Sequence, residues 1–320
     1  MFAERKLMPR PRLKILVLAV LAASAAAFAA PAFASPAYPD SPEGVTLLPD
    51  VAYLQPGREE KMDIYLPRER AAGQRSPAVV MIHGGGWAAG DKAALREYGT
   101  GAILARAGYV AVSINYQMAP GKRWPANLHD CKNAVRFLRV NAAKYGLDPE
   151  HIGVMGGSAG GHLALMVAYT TGAPGLEPAA PYPGVSSRVS CVIDLYGITN
   201  LLTRQKTDAK GNPTGRRTDT TALFLPTRQQ DPALWRLASP VSYVRKDSPP
   251  TLILHGLADA TVDYGQAKEL AAKLEEHGVE HRLVLLENIG HTFYLTTWKN
   301  KPLPLDVEGI ALEFLARHLK

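Results

Sequence analysis

The chain holds 320 residues, of which 47% are hydrophobic, 20% charged and 8% aromatic. That is enough apolar material for a large core and excludes a disordered chain. Two cysteines exclude a disulfide scaffold and any multi-cysteine metal cage, while the formal charge of +7 invites a nucleic acid or another acidic partner.

Residues 1–34 read as a secretory signal peptide. Arg5, Lys6, Arg10, Arg12 and Lys14 form a basic leader, and residues 15–30 are continuously small or apolar. Ala32-Phe33-Ala34 then fits the small-x-small cleavage rule, with cleavage before Ser35. Met8 is a second candidate start. An uncleaved one-helix anchor is the weaker alternative, because an apolar run of about 16 residues is short for a bilayer. These 34 residues hold five basic residues and one acidic residue, so they carry +4 of the charge. Residues 35–320 hold 31 basic and 28 acidic residues, a net +3, with no basic stripe interleaved with aromatics. Nucleic acid is therefore not an expected partner, and neither is a stable membrane anchor. The expected destination is the periplasm or the exterior.

Residues 35–44, rich in Pro and Ser, read as a loose leader. From Val45 onward β-branched runs alternate with helical patterns. Strands are expected at 45–54, 61–66, 77–83, 109–115, 151–156, 189–196, 250–255 and 281–287. Five of them are nearly unbroken apolar runs, as in strands covered on both faces. Helices are expected at 92–107, 126–144, 159–171, 264–278 and 306–319. This order predicts an α/β fold: one eight-stranded, mostly parallel sheet with helices on both faces, opened by two strands without an intervening helix. The stretch 172–188 reads as a loop. The stretch 198–249 shows no clear strand, and only DPALWRLA looks helical. It reads as a small cap insertion over the C-terminal edge of the sheet, where such folds bind ligands. Residues 35–320 thus form one domain.

Chemistry concentrates in short segments at strand ends. Gly156-Gly157-Ser158-Ala159-Gly160-Gly161 follows the strand HIGVMG and precedes the helical run HLALMVAY. A serine on so sharp a strand-to-helix turn needs glycines two residues either side, and its hydroxyl is then exposed as a nucleophile. The rival reading is a phosphate-type glycine loop. His83-Gly84-Gly85-Gly86-Trp87 follows the strand PAVVMI and leaves main-chain N–H groups for a developing oxyanion. Ala159 supplies the other donor. Serine needs a base and a group to orient it. Among nine histidines, His291 stands in a loop after the last strand; His255, ending a core strand, and His162, beside the turn, read as packed residues. For the acid, Asp259 is favoured over Asp263 in the same loop, where Asp263 reads as a helix cap, and over Asp194 at another strand end. The order Ser158, Asp259, His291 is that of the α/β-hydrolase triad.

Residues 45–319 resemble the α/β-hydrolase superfamily, and more closely bacterial carboxylesterases of the feruloyl and acetylxylan esterase group. The matching pieces are HGGGW at 83–87, GDK at 90–92, INYQMAP at 114–120, HDCKNAVRFLR at 129–139, GGSAGGHLA at 156–164, ASPVSYV at 238–244, HGLAD at 255–259 and GHTF at 290–293. The resemblance implies Ser158 as nucleophile, His291 as base, Asp259 as orienting acid, and Gly85, Gly86 and Ala159 as oxyanion donors. Hormone-sensitive-lipase-like relatives usually carry Asp before the serine, where Gly157 stands here, which favours the feruloyl/acetylxylan type. The expected activity is hydrolysis of short-chain or hydroxycinnamoyl esters, small or borne on plant polysaccharide, with no metal or organic cofactor. A prolyl-oligopeptidase-type peptidase and an inactive binding protein on the same fold are the alternatives.

Trp87, Phe293 and Tyr294 are candidate substrate contacts, with core packing as the competing reading. Phe224 and Trp235 are candidates for a lid or for the interior of the insertion. The loops 172–188 and 198–249 are expected to set the pocket volume. Cys131 and Cys191 are read as separate buried thiols, with a disulfide as the alternative in an oxidising compartment.

Overall fold

The computed structural model describes residues 41–320 apart from 71–72, 209, 218–223 and 228. The expected signal peptide at 1–34 lies outside the described residues.

The chain opens with β1 (Val45–Ala52) and β2 (Lys61–Pro67), then β3 (Ser76–Ile82), α1 (Leu95–Arg106), β4 (Val110–Ile114), α2 (Ala126–Val140) and α3 (Ala142–Tyr145). It continues through β5 (Leu147–Gly157), α4 (Ala159–Tyr169) and β6 (Cys191–Leu195). Next come β7 (Gln205–Thr207), β8 (Pro213–Arg217), α5 (Pro232–Leu237) and a 3₁₀ turn at Pro240–Tyr243. The last part is β9 (Thr251–Gly256), α6 (Gly265–Glu276), β10 (His281–Leu286), β11 (Thr297–Trp298), β12 (Lys301–Pro302) and α7 (Val307–Leu319).

The eight strands expected from the sequence form one sheet in the order β1-β2-β4-β3-β5-β6-β9-β10. β2 runs antiparallel to β1 and β4, and every other pairing is parallel. Alternation along each strand divides the apolar residues between two cores. Ala78, Val80, Ile82, Val154, Val192 and Ile253 pack with residues of α2, α4 and α6. Val79, Met81, Met155, Ile193, Leu252 and Leu254 pack with residues of α1 and α7. Because both faces are covered, the central strands carry no polar alternation, and that is why they stood out as apolar runs.

Local departures have local causes. The expected helix at 126–144 breaks at Asn141, whose side-chain amide donates to the Phe137 carbonyl, and the following turn ends in left-handed Gly146. The expected helix at 92–107 begins only at Leu95, because Lys92 is buried in ion pairs with Asp50 and Asp63. Cys131 and Cys191 are separate buried thiols.

The insertion at 198–249 differs from its expectation by holding an antiparallel hairpin, β7 with β8. Its interior is aromatic. Phe224 is fully buried and stacks on Trp87 at 4.4 Å, with Trp124 and His162 edge-on. Trp235 is also buried and donates its indole N–H to the Pro226 carbonyl. Phe224→Ala should therefore destabilise the fold by about 3–5 kcal/mol in denaturant unfolding. A loss below about 1 kcal/mol would mean that this stack does not hold the insertion down.

Candidate active site

Ser158 ends the turn between β5 and α4 with φ of 59° and ψ of −122°, a strained geometry for a non-glycine residue. The turn is tight because α4 starts against the neighbouring strand: a Cβ at Gly160 would strike the Ile82 carbonyl, and one at Gly156 the Gly160 carbonyl. The Ser158 N–H is held by the Leu195 carbonyl of β6 at 2.9 Å. The hydroxyl is thereby fixed at the C-terminal edge of the sheet.

His291 Nε2 lies 2.9 Å from Ser158 Oγ, and His291 Nδ1 lies 2.7 Å from Asp259 Oδ2. Asp259 Oδ1 accepts from the N–H groups of Thr261 and Val262, so the carboxylate is fixed on both oxygens. Burial raises the Asp259 pKa, but hydrogen bonds from His255 and His291 outweigh it and hold the carboxyl well below the usual range. His255 is fully buried beneath it; Nε2 donates to the Val262 carbonyl at 3.0 Å and passes 3.4 Å from Asp259 Oδ2. The loop carrying His291 is held from outside by Trp298, which donates to the His291 carbonyl at 3.0 Å. From inside, Tyr196 meets the imidazole edge-on at 4.8 Å.

Gly85 and Gly86 adopt φ of 113° and 62°, which turns the loop after β3 over the serine. The Gly85 carbonyl accepts from Ala88 and Ala89, closing that turn. Among the described residues, none accepts the N–H groups of Gly85, Gly86 or Ala159. Ala159 is the first residue of α4, so its N–H also stands at the positive end of the helix. The three sequence-predicted donors are thus free to bind an oxyanion.

A cavity of about 440 Å³ opens over these groups. Ser158, His291, Gly85 and Gly86 line it together with Trp87, Arg96, Ile198, Arg204 and Tyr294. Trp87 forms part of its wall yet is only 2% exposed, because its indole donates to His162 Nδ1 at 3.1 Å. Tyr294 is 38% exposed and faces the cavity. Phe293 does not: it is fully buried, its ring 4.7 Å from Tyr196. The expectation of a substrate contact at Phe293 is corrected to a core residue. The loop 172–188 also stays away from the cavity. Its Glu177 instead binds Lys132 and Arg136 of α2. Of the described residues of the insertion, Ile198 and Arg204 line the cavity, and Phe224 and Trp235 do not.

The rival acids fall elsewhere. Asp263 Oδ2 accepts from the Gln205 N–H at 2.8 Å, so it anchors β7 rather than capping α6. Asp194 is fully buried, and burial pushes its pKa up to about 7. Arg96 and Arg204 were not singled out from the sequence, since neither belongs to a recognisable motif. The Arg96 guanidinium binds Glu97 and the Tyr196 hydroxyl, and it occupies the space that a side chain at position 157 would need. Among the described residues, no group of three His, Cys, Asp or Glu side chains is placed to hold a metal ion.

His162 bridges the site and the insertion, donating through Nε2 to the Ala238 carbonyl at 2.7 Å. Burial lowers its pKa to about 4. Between that value and the ordinary 6.5, the unfolded chain binds a proton that the folded chain does not. Stability should therefore fall as the pH drops through this window, by up to about 3 kcal/mol. His162→Asn should flatten that part of the unfolding midpoint against pH, and an unchanged profile would contradict the neutral bridge.

The sheet order and the serine turn define an α/β-hydrolase. Residues 62–274 match the BD-FAE family. The chain belongs to that family. Among curated proteins it is similar to Esterase LipQ of Mycobacterium tuberculosis, at 32% identity over 77% of this chain and 57% of that protein. It is also similar to arylacetamide deacetylase of Oryctolagus cuniculus, at 39% identity over 41% of this chain and 32% of that protein. The chain spans about half the length of the first curated relatives it matches. Among solved structures, a truncated carbohydrate esterase from gut microbiota superposes with a TM-score of 0.73 at 28% identity, covering 85% of this chain and 96% of that one. Esterase 2 of Thermogutta terrifontis superposes at 0.69 and 26% identity, covering 87% and 96%.

Proposed function

We propose that this chain is an exported serine carboxylesterase acting on short-chain or hydroxycinnamoyl esters, including those borne on plant polysaccharide. The observation that carries the reading is the hydrogen-bonded line Asp259–His291–Ser158, ending in the cavity walled by Gly85 and Gly86. A cavity of about 440 Å³ fits an acyl group of this size. The likeness to a carbohydrate esterase and to LipQ supports the same reaction class.

In this mechanism His291 takes the Ser158 proton as the hydroxyl attacks the ester carbonyl. Asp259 holds the Nδ1–H tautomer and stabilises the imidazolium. The N–H groups of Gly85, Gly86 and Ala159 bind the oxyanion. His291 then protonates the leaving alcohol, and water, activated by the same imidazole, hydrolyses the acyl-enzyme.

A series of p-nitrophenyl esters, run beside methyl ferulate, acetylated xylan and a matched peptide amide, tests the substrate class. Acetyl, butyryl or feruloyl esters should be hydrolysed far faster than the amide. A preference for acyl chains beyond about ten carbons, or for the amide, would overturn the proposal. Export rests on residues 1–34. N-terminal sequencing of the protein from a bacterial periplasm should begin at Ser35, and full-length protein in the cytosol would contradict it.

A further inference from the structure

Arg204 stands in the cavity wall. It belongs to the segment leading into β7, and it is held there by its own N–H to the Asn200 carbonyl and by the next residue's N–H to Asp263. The side chain is 8% exposed. One nitrogen, Nη2, donates to the Thr261 carbonyl at 3.2 Å. Nε is buried without a partner, and among the described residues no carboxylate lies within ion-pair distance. The other charged groups of the wall are satisfied. Arg96 is paired with Glu97, and both carboxylate oxygens of Asp91 accept N–H groups, from Ala93 and Asn115. A guanidinium carries five donors in a planar fork, and burying Nε without an acceptor is costly. Thr261, on whose carbonyl it rests, donates to Asp259, so the fork is fixed on the same loop as the acid.

We propose that Arg204 is a specificity residue that binds a carboxylate on the non-reacting part of the ester while Ser158 attacks the carbonyl. The substrates are then esters bearing a free acid, either a dicarboxylic hemi-ester or a uronic acid acylated on a hydroxyl. This inference rests on the ester-hydrolase reading. A guanidinium binds a carboxylate through parallel hydrogen bonds, and Arg204 holds this group in the wall of the cavity that Ser158 lines. The negative charges of Asp259 and Asp263 act on Arg204 from beneath, which helps to keep it ionised where burial works against the charge. Neutralising those aspartates is the competing role.

The test compares p-nitrophenyl hemiglutarate with its neutral isostere, in which an isopropyl group replaces the carboxylate. A second arm compares acetylated glucuronate with acetylated glucuronamide, which tells whether the acid lies on the acyl or the alcohol side. In at least one arm kcat/KM should favour the charged member about 10- to 100-fold, with the ratio shrinking as salt rises. Arg204→Gln should erase that ratio, chiefly through KM, and Arg204→Lys should restore only part of it. If both arms favour the neutral member in the wild-type protein, the inference fails, whether or not the variants fold. It fails too if Arg204→Gln lowers charged and neutral substrates equally, since Arg204 would then only balance the aspartates. Absence of hydrolysis of any ester would instead defeat the ester-hydrolase reading.

Discussion

Ser158→Ala is expected to lower kcat on p-nitrophenyl acetate by on the order of 10⁶ while leaving the fold intact. The effect is large because, among the described residues, no other hydroxyl is placed on the imidazole. His291 Nε2 points at Ser158 Oγ alone, and the nearby Thr292 hydroxyl donates away to the His291 carbonyl. The change costs little stability, because it removes one hydrogen bond at the edge of a cavity and no core packing. What remains is the binding and oxyanion contribution of Gly85, Gly86 and Ala159. Steady-state kinetics beside circular dichroism and a melting curve read both halves. Activity within tenfold of wild type in a folded Ser158→Ala protein would remove Ser158 from the mechanism.

Asp259→Asn should lower kcat by about 10⁴. The carboxylate accepts from His291 Nδ1–H, which leaves the Nε2 lone pair toward Ser158. An amide placed there can offer an N–H instead, and the imidazole then adopts the wrong tautomer. The same substitution carries a stability signature with a definite sign. Hydrogen bonds hold the Asp259 carboxyl below the usual range, so its ionised form stabilises the fold above the ordinary carboxylate pKa. That contribution is lost as the pH falls below about 4. The acid limb of the wild-type unfolding midpoint should therefore be steeper than that of Asp259→Asn. A variant with near-wild-type kcat, or with the same acid limb, would contradict the role given to Asp259.

The sheet was readable because its strands are buried on both faces, so Val, Ile and Leu run unbroken between turn residues. The serine turn and the glycine loop were readable because close backbone approaches admit only glycine there, as the Gly160 contact with β3 illustrates. Other features left no such mark. β7 and β8 are short and partly exposed, closed by Asp208 and Asn212 and anchored by Asp263, with no apolar alternation to announce them. Phe293 and Tyr294 are neighbours after His291, but Thr292 takes a φ of 60°, and the chain then sends Phe293 into the core and Tyr294 to the cavity. Sequence adjacency to a base could not decide between them. Arg96 and Arg204 reach the cavity from distant parts of the chain, one in the first turn of α1 and one in the insertion, so only the folded arrangement brings them beside Ser158. Asp259 and Asp263 are four residues apart in one loop, and only the hydrogen bonds show that one meets His291 and the other Gln205.

In the proposed mechanism Ser158 is an activated nucleophile. A fluorophosphonate probe, followed by mass spectrometry of the digested protein, tests it directly. The adduct should sit on Ser158, form much more slowly in His291→Ala, and be absent from Ser158→Ala. An adduct on another residue, or equal labelling of the Ser158→Ala protein, would contradict it.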